Sequence, residues 1–201
     1  MTPGRLATQL GYSFVGILAV MSARTSLASP QDDHTHGTAA HQQAPSPVQK
    51  NAVGALVKIV RESTARFRDV SVAEAEGYAL QFGCVSGSDA GAMGLHYVNA
   101  SLVSAGVLDA TRPQIVIYEP APNGTLRLVG ADYLLIAKQW DAAHPDTPQL
   151  MGQLFHLFES PNRFGLPAFY TLHVWAWKDN PTGMFVNWHS NVSCEAFAGK
   201  P

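Results

Sequence analysis

The chain has 201 residues, of which 46% are hydrophobic and 14% are charged. This composition excludes a disordered protein and provides enough apolar side chains for one folded domain. The formal net charge is −2 at pH 7, and the lysine and arginine residues form no run. Because nucleic-acid binding depends on clustered cations, we expect no nucleic-acid partner.

The first 28 residues have the features of a signal peptide. Arg5 supplies a positive charge, residues 12–20 form a short apolar run, and Ser26-Leu27-Ala28 places small residues where a signal peptidase reads them. The run is too short to cross a bilayer of roughly 30 Å as a helix, which disfavours a retained membrane anchor. We therefore predict cleavage after Ala28, export to the periplasm or out of the cell, and no stable membrane span after cleavage.

Residues 29–49 are rich in Pro, Gln, Ser and Ala and contain almost no large apolar side chain. This composition predicts a flexible linker. His34, His36 and His41 lie in it, and histidines can bind metals, but a flexible segment does not hold its ligands in fixed positions. We predict that residues 50–201 form a single α+β domain.

Two helices are predicted at the start of this domain. Apolar residues recur at helical spacing over residues 51–67, as in an amphipathic helix. Ser71 and Glu74 have the spacing of a capping box for a short second helix, which should end at Gly77.

The apolar pattern then changes to alternation, which predicts a mostly antiparallel sheet of about four or five strands, or a partial barrel. The Asn123-Gly124 turn predicts a hairpin between the second and third of these strands. The predicted strands cover residues 78–85, 114–119, 126–138, 170–178 and 184–188.

Two carboxylates fall on apolar faces of the predicted hairpin. Asp132 has the same parity as three of the leucines and the isoleucine of its strand, although Gly130 could mark a bulge that changes the register. Glu119 shares its face with two isoleucines of the preceding strand. A buried carboxylate is costly unless it is paired, protonated or bound to a metal. Pairing with Arg112 or Arg127 would make both carboxylates structural.

The segment from Tyr170 to Cys194 contains three of the four tryptophans, two histidines and a cysteine. Alternation places four of its side chains on one face of a strand: Thr171, His173, Trp175 and Trp177. A histidine among aromatic side chains is typical of a ligand pocket. It is equally typical of a core in which the imidazole bonds to a backbone carbonyl.

Cys84 and Cys194 are the only cysteines, and in an exported protein they are expected to form a disulfide. In the chain-entropy model, a crosslink that closes so long a loop contributes about 4 to 5 kcal/mol to stability. Metal ligation by the two thiolates is the alternative, but no CxxC spacing supports it.

Standard catalytic motifs are missing from the sequence. It contains no GxSxG, HExxH, P-loop or GxGxxG pattern, which disfavours serine hydrolases, zincins and nucleotide-binding proteins. The remaining histidines and carboxylates suit a transition metal in an exported protein, although each histidine can instead be a packed or surface side chain. They are His96, His156, His173, His189, Glu119 and Asp132.

Four blocks of sequence occur together in residues 67–194: MGLHYVN from Met93, YEP from Tyr118, LVGADY from Leu128, and the segment from Leu172 to Cys194. In combination they resemble a family of exported bacterial proteins with a domain of unknown function. The resemblance implies an α+β domain that forms a homo-oligomer in at least one relative.

The same resemblance marks His96, Glu119 and His173 as motif residues. It also marks Asp132, where the family favours Glu, and this shorter side chain weakens a metal role at that position. After Trp188 the family usually has Asn-Pro, whereas this chain has His189 and Ser190. The resemblance implies no particular reaction.

From these features we expect a protein that binds a small ligand or a metal. The candidate ligand-binding residues are His96, Glu119, His173 and Trp175, and the candidate ligands of a transition metal are His96, His156, His173 and Glu119. One alternative is a metal-dependent enzyme acting on a small molecule, with Glu119 or Asp132 as general base. The other is a structural homo-oligomer without a ligand. The sequence leaves open whether the protein is an enzyme.

Overall fold

The computed structural model describes residues 46–87 and 89–199. The predicted signal peptide and most of the predicted linker lie outside the described residues. The end of that linker is helical, because helix α1 (Pro47–Thr64) begins before the predicted domain start at Lys50. Pro47 takes the first helical position, where the missing N–H of proline removes no helical hydrogen bond.

Helix α1 is followed by a 3-10 turn (Ala65–Arg68) and by helix α2 (Val70–Ala75). The cap of α2 differs from the predicted capping box. The carboxylate of Asp69 accepts the backbone N–H of Ser71 at 3.0 Å, and the Ser71 hydroxyl donates to the same oxygen at 2.7 Å. Asp69 takes the capping role because an ionised carboxylate is a stronger acceptor than a hydroxyl group.

The centre of the fold is a six-stranded sheet with the order β1-β2-β3-β4-β8-β7. All neighbouring strands are antiparallel, so the prediction of a mostly antiparallel sheet is confirmed. The strands are β1 (Tyr78–Ser86), β2 (Ala92–Asn99), β3 (Ile115–Pro120), β4 (Leu126–Ile136), β7 (His156–Phe158) and β8 (Phe169–Val174). A separate pair consists of β5 (Gln149–Leu150) and β6 (Gln153–Leu154), and short helices follow β2 (α3, Ala100–Ala105) and β4 (α4, Ala137–Asp141).

Strand β2 was not predicted, because its sequence does not alternate between apolar and polar residues, and nearly every residue in it is buried. A strand that is covered on both faces has no alternation of apolar and polar residues. The hairpin between β3 and β4 around Asn123-Gly124 is confirmed.

A bulge in β4 decides which of its side chains face each side of the sheet. Ile117 pairs with Gly130 and Tyr118 pairs with Leu128, so Val129 is the extra residue. As a result, Leu128 packs on the side of helix α2, and Leu134 packs on the opposite side. The bulge expected at Gly130 is therefore present. A Cβ atom on Gly130 would lie 2.7 Å from the carbonyl oxygen of Val174, so only glycine permits this close approach of β4 and β8.

The end of β8 differs from the prediction of a strand over residues 170–178. The N–H of Ala176 bonds to the carbonyl oxygen of Val174 at 2.8 Å, so the chain turns and the alternation stops. Trp177 consequently packs on the helix side, where its indole N–H donates to the Thr64 hydroxyl at 3.0 Å. The predicted common face of His173 and Trp177 is wrong.

The predicted strand over residues 184–188 is also wrong. Strand β8 already has β4 on one side and β7 on the other, which leaves no hairpin partner for this segment. It forms turns instead, and an isolated bridge joins His189 to Ala92.

The disulfide between Cys84 and Cys194 is confirmed, and it joins β1 to the C-terminal segment across a sequence separation of 110. Within the described part of the chain, no helix combines the length and the apolar character that a membrane span requires.

Candidate metal centre

Three buried polar side chains meet on the sheet face opposite helix α1. His96 comes from β2, Asp132 from β4 and His173 from β8, and their exposed fractions are 5%, 2% and 3%. One potential ligand atom from each residue lies within 4.8 Å of those of the other two. Asp132 and His173 are direct partners in the β4–β8 ladder.

His96 reaches this pair from a distant strand, because β3 and β4 lie between β2 and β8. In a flat sheet, three strand spacings would separate the two histidine backbones by about 14 Å, and their side chains would project in parallel. The two Nε2 atoms are nevertheless 3.4 Å apart. The sheet is therefore curved, with its concave side facing the three residues.

Burial controls the charge of all three groups. It lowers the pKa of His96 to about 4 and that of His173 to about 3, and His156 acts in the same direction on His173. Burial also raises the pKa of Asp132 to about 6, although the hydrogen bond from the Thr171 hydroxyl, 2.6 Å long, opposes this shift. At pH 7 the site therefore holds two neutral imidazoles and an ionised carboxylate, which are the protonation states that a metal requires.

Hydrogen bonding fixes the tautomer of His96. Its Nδ1 atom lies 3.2 Å from the carbonyl oxygen of Gly94. Because a carbonyl oxygen only accepts, Nδ1 carries the proton and Nε2 presents a lone pair. This lone pair points at Nε2 of His173.

His173 cannot satisfy both of its neighbours. With the proton on Nε2 it donates to His96, but its Nδ1 lone pair then faces the Asp132 carboxylate at 3.6 Å. With the proton on Nδ1, two Nε2 lone pairs face each other. Nδ1 has no hydrogen-bond partner within normal distance, although the Asn187 side chain interacts with His173 and raises its pKa. An ionised Asp132 has no proton to offer Nδ1. A cation held by the three side chains removes this conflict.

A cavity of about 20 Å³ lies beside the three residues, with room for about one water molecule. Four phenylalanine rings form much of its wall, with centroid distances of 5.1 to 6.2 Å in the ring pairs that pack together. They are Phe82, Phe158, Phe164 and Phe169. The polar cluster is therefore at the bottom of an aromatic pocket.

The other predicted metal ligands lie elsewhere. Glu119 lines a separate cleft and bonds to the Lys178 ammonium at 2.7 and 2.8 Å and to the N–H of Ser193 at 3.2 Å. Its expected pairing with Arg127 is present at 3.7 Å. His156 is exposed on the edge strand β7. Neither residue belongs to the group whose ligand atoms lie within 4.8 Å of one another.

Trp175 packs against His173. It is fully buried, its ring centroid is 5.8 Å from that of His173, and its indole N–H donates to the carbonyl oxygen of Val186 at 2.7 Å. It does not line the cavity beside the three residues. His189 is buried against Trp175 and accepts the N–H of Asn191 through Nδ1, so it is a packed side chain and not a surface residue.

Asp132 was a candidate general base but was not among the four predicted metal ligands, and Thr171 was not predicted as a site residue. The signal for Asp132 was its parity with Leu134, which the structure places on the same sheet face. In the sequence, the only feature that pointed to Thr171 was its position on the same strand face as His173.

The opposite pKa shifts of these groups predict how the metal-free protein responds to acid. The folded-state pKa values of His96 and His173 lie below 6.5, so unfolding takes up two protons between about pH 4 and pH 6 and stability falls as pH falls. The pKa of Asp132 is raised from 3.8 to about 6. This group therefore releases a proton on unfolding, which offsets the uptake of one of the two protons by the histidines. In Asp132→Asn, the free energy of unfolding should depend more steeply on pH by about 1.4 kcal/mol per pH unit.

Urea unfolding at several pH values in the presence of a chelator measures this slope. Asp146→Asn, which changes an exposed carboxylate, is the matched control and should keep the slope of the unmodified protein. An unchanged slope in Asp132→Asn would show that the carboxyl group is already ionised across this pH range.

Comparison of the chain with protein-family models, with curated proteins and with solved structures finds no match. The resemblance to exported bacterial proteins therefore stays a prediction, and the interpretation of the site rests on its own geometry.

Proposed function

We propose that this protein is an exported metal-binding module that holds one divalent first-row transition metal, such as Zn²⁺, through His96, Asp132 and His173. The observation that carries this proposal is the contact between the two histidine Nε2 atoms, one of which has its lone pair fixed by the bond from Nδ1 to Gly94. Without a cation, one pair of acceptors in this buried cluster is left facing each other.

The distance between the two histidine nitrogen atoms supports a tetrahedral ion. With metal–nitrogen bonds of about 2.0 to 2.1 Å, two tetrahedral ligands are about 3.3 to 3.4 Å apart, and the two Nε2 atoms are 3.4 Å apart. The second coordination shell would also be in place. The Gly94 carbonyl orients His96 and the Thr171 hydroxyl orients Asp132, as metal-binding imidazoles and carboxylates require.

Export is part of the proposal. The predicted signal peptide precedes the domain, and a disulfide between Cys84 and Cys194 is typical of the periplasm or the extracellular space.

A metal-dependent enzyme acting on a small molecule is the second candidate. Structural zinc sites usually have four protein ligands, whereas catalytic sites have three and leave one position open. Three residues form the cluster in the described part of the chain, and a cavity adjoins it.

Zinc titration of the full chain, produced without an affinity tag and first treated with a chelator, tests metal binding. We expect one equivalent of Zn²⁺ per chain and a rise in Tm, because a ligand that binds only the folded state stabilises it. The control changes the three linker histidines together to glutamine (His34, His36 and His41). If this control loses the bound equivalent, or if the unmodified chain binds no zinc, cobalt or iron, the proposal is wrong.

A further inference from the structure

Strand β1 contains an unusual bulge next to the proposed metal centre. Gln81 pairs with His96 and Cys84 pairs with Leu95, so Phe82 and Gly83 have no partner on β2. Phe82 has a φ of 64°, a left-handed conformation that is rare for a bulky residue and that occurs at ligand-binding sites more often than elsewhere. The bulge brings the ring of Phe82 against that of Phe164, in the wall of the metal cavity.

A groove of about 290 Å³ lies on the other side of Phe82. Val98, Val103 and Ile136 form its outer part, while Phe82, Leu134 and Leu166 line both the groove and the metal cavity. These three shared side chains are the partition between the two spaces. Phe82 is 37% exposed, so this part of the partition borders solvent and has room to move.

We infer that the groove binds a small uncharged molecule with an apolar body and one polar end, and that Phe82 moves to admit the polar end to the metal. This inference rests on the proposed metal centre for the role of the polar end. An apolar cavity of about 150 Å³ is sufficient for benzene, so the groove accommodates a monosubstituted benzene or a short aliphatic chain.

The side chains that line the groove favour an uncharged ligand. No charged side chain lines the groove, so a carboxylate or an ammonium group in it would lose hydration without gaining an opposite charge. The metal cavity, at about 20 Å³, has room only for a group the size of a water molecule. A hydroxyl group fits this space, whereas a second ring does not.

Benzyl alcohol is the probe that tests the inference, and benzoate is its charged counterpart. In methyl NMR spectra of the full chain, benzyl alcohol should shift the signals of Val98, Val103 and Ile136 saturably. In protein without a metal, benzoate should bind about tenfold more weakly or worse, because no cation compensates for the desolvation of its carboxylate. In the Co²⁺-loaded protein, benzyl alcohol should also change the visible absorption bands of the metal.

Two variants of helix α3 locate the binding site. Ala100 lines the groove and is exposed, so Ala100→Phe should fill the groove and abolish the methyl shifts. Ser101 is also exposed but does not line the groove, so Ser101→Phe should bind benzyl alcohol normally. A third variant, Phe82→Gly, keeps a residue suited to positive φ and should increase the response of the Co²⁺ bands.

The outcomes separate this inference from the proposed metal function. Absence of methyl shifts in a protein that binds Co²⁺ overturns the groove and leaves the metal centre intact. Methyl shifts in a protein that binds no metal overturn the metal centre and the role given to the polar end, while the apolar site remains. Equal binding to Ala100→Phe and Ser101→Phe would place the probe elsewhere and overturn the inference.

Discussion

Replacement of His96 or His173 by leucine should lower the affinity for Zn²⁺ by more than about 100-fold, since loss of an outer-shell partner alone typically costs 10- to 100-fold. Each substitution leaves one imidazole and one carboxylate, which is too few ligands for a stable tetrahedral site. Competition with a chromophoric chelator, on protein that carries no tag, measures the affinity.

His156→Leu is the matched control for this prediction. His156 was a predicted ligand, but it is exposed on β7 and lies outside the buried cluster. Its replacement should leave zinc affinity nearly unchanged. A loss in His156→Leu as large as that in His173→Leu would mean that the ligands are drawn from the edge of the sheet and that the assignment of Asp132 is wrong.

The stability of the same variants distinguishes a metal site from a structural polar network. Without metal, the cluster contains an unresolved contact between acceptors, so His173→Leu should be at least as stable as the unmodified protein. With zinc at 100 times its Kd, only the unmodified protein should gain about 2.7 kcal/mol. If the cluster is instead a structural polar network, His173→Leu should be less stable than the unmodified protein without metal, because removing one partner from a buried network costs about 1 to 3 kcal/mol.

The strands that were predicted correctly have an alternating pattern or a turn signal in the sequence, although β3, β4 and β8 are buried almost throughout. Alternation identified the regions of β1, β3, β4 and β8, and Asn123-Gly124 identified the hairpin between β3 and β4. Strand β2 is buried almost throughout and shows no such signal. The sequence therefore identified His96 as a candidate ligand without showing that it lies on a strand.

The composition of the site was predicted less well than the sheet. His96 and His173 were candidates by residue type, but their meeting depends on the curvature of the sheet across two intervening strands, which no local pattern encodes. The orientation of Asp132 depends on the bulge at Val129, since a shift of one residue reverses every side chain. Glu119 was chosen for its parity, and the decisive fact was the position of Lys178, 59 residues away along the chain.

Loss of the disulfide should have the largest effect on stability. We expect the double variant Cys84→Ala/Cys194→Ala to lose about 2 to 5 kcal/mol of unfolding free energy, because the crosslink restricts a long loop in the unfolded chain. Urea unfolding measures the loss. The unmodified protein in a reducing agent is the matched control, and it should unfold at the same urea concentration as the variant.

The disulfide also holds a segment that has no strand of its own. Residues 184–199 are attached to the sheet by Cys194, by the bridge between His189 and Ala92, and by the bond from the Ser193 N–H to Glu119. A loss below about 1 kcal/mol in the double variant would show that the bridge and Glu119 are sufficient to hold this segment, against the expected cost of 2 to 5 kcal/mol.

Removal of the disulfide should affect zinc binding at the metal centre only indirectly. Val186 in the C-terminal segment accepts the indole N–H of Trp175, and Trp175 packs against His173. Loosening the segment therefore disturbs the support of one ligand and leaves all three ligands present. We expect zinc affinity to fall by about tenfold, the lower end of the range for outer-shell changes, compared with more than 100-fold for the histidine variants. An equal loss in both would mean that the C-terminal segment itself supplies a ligand.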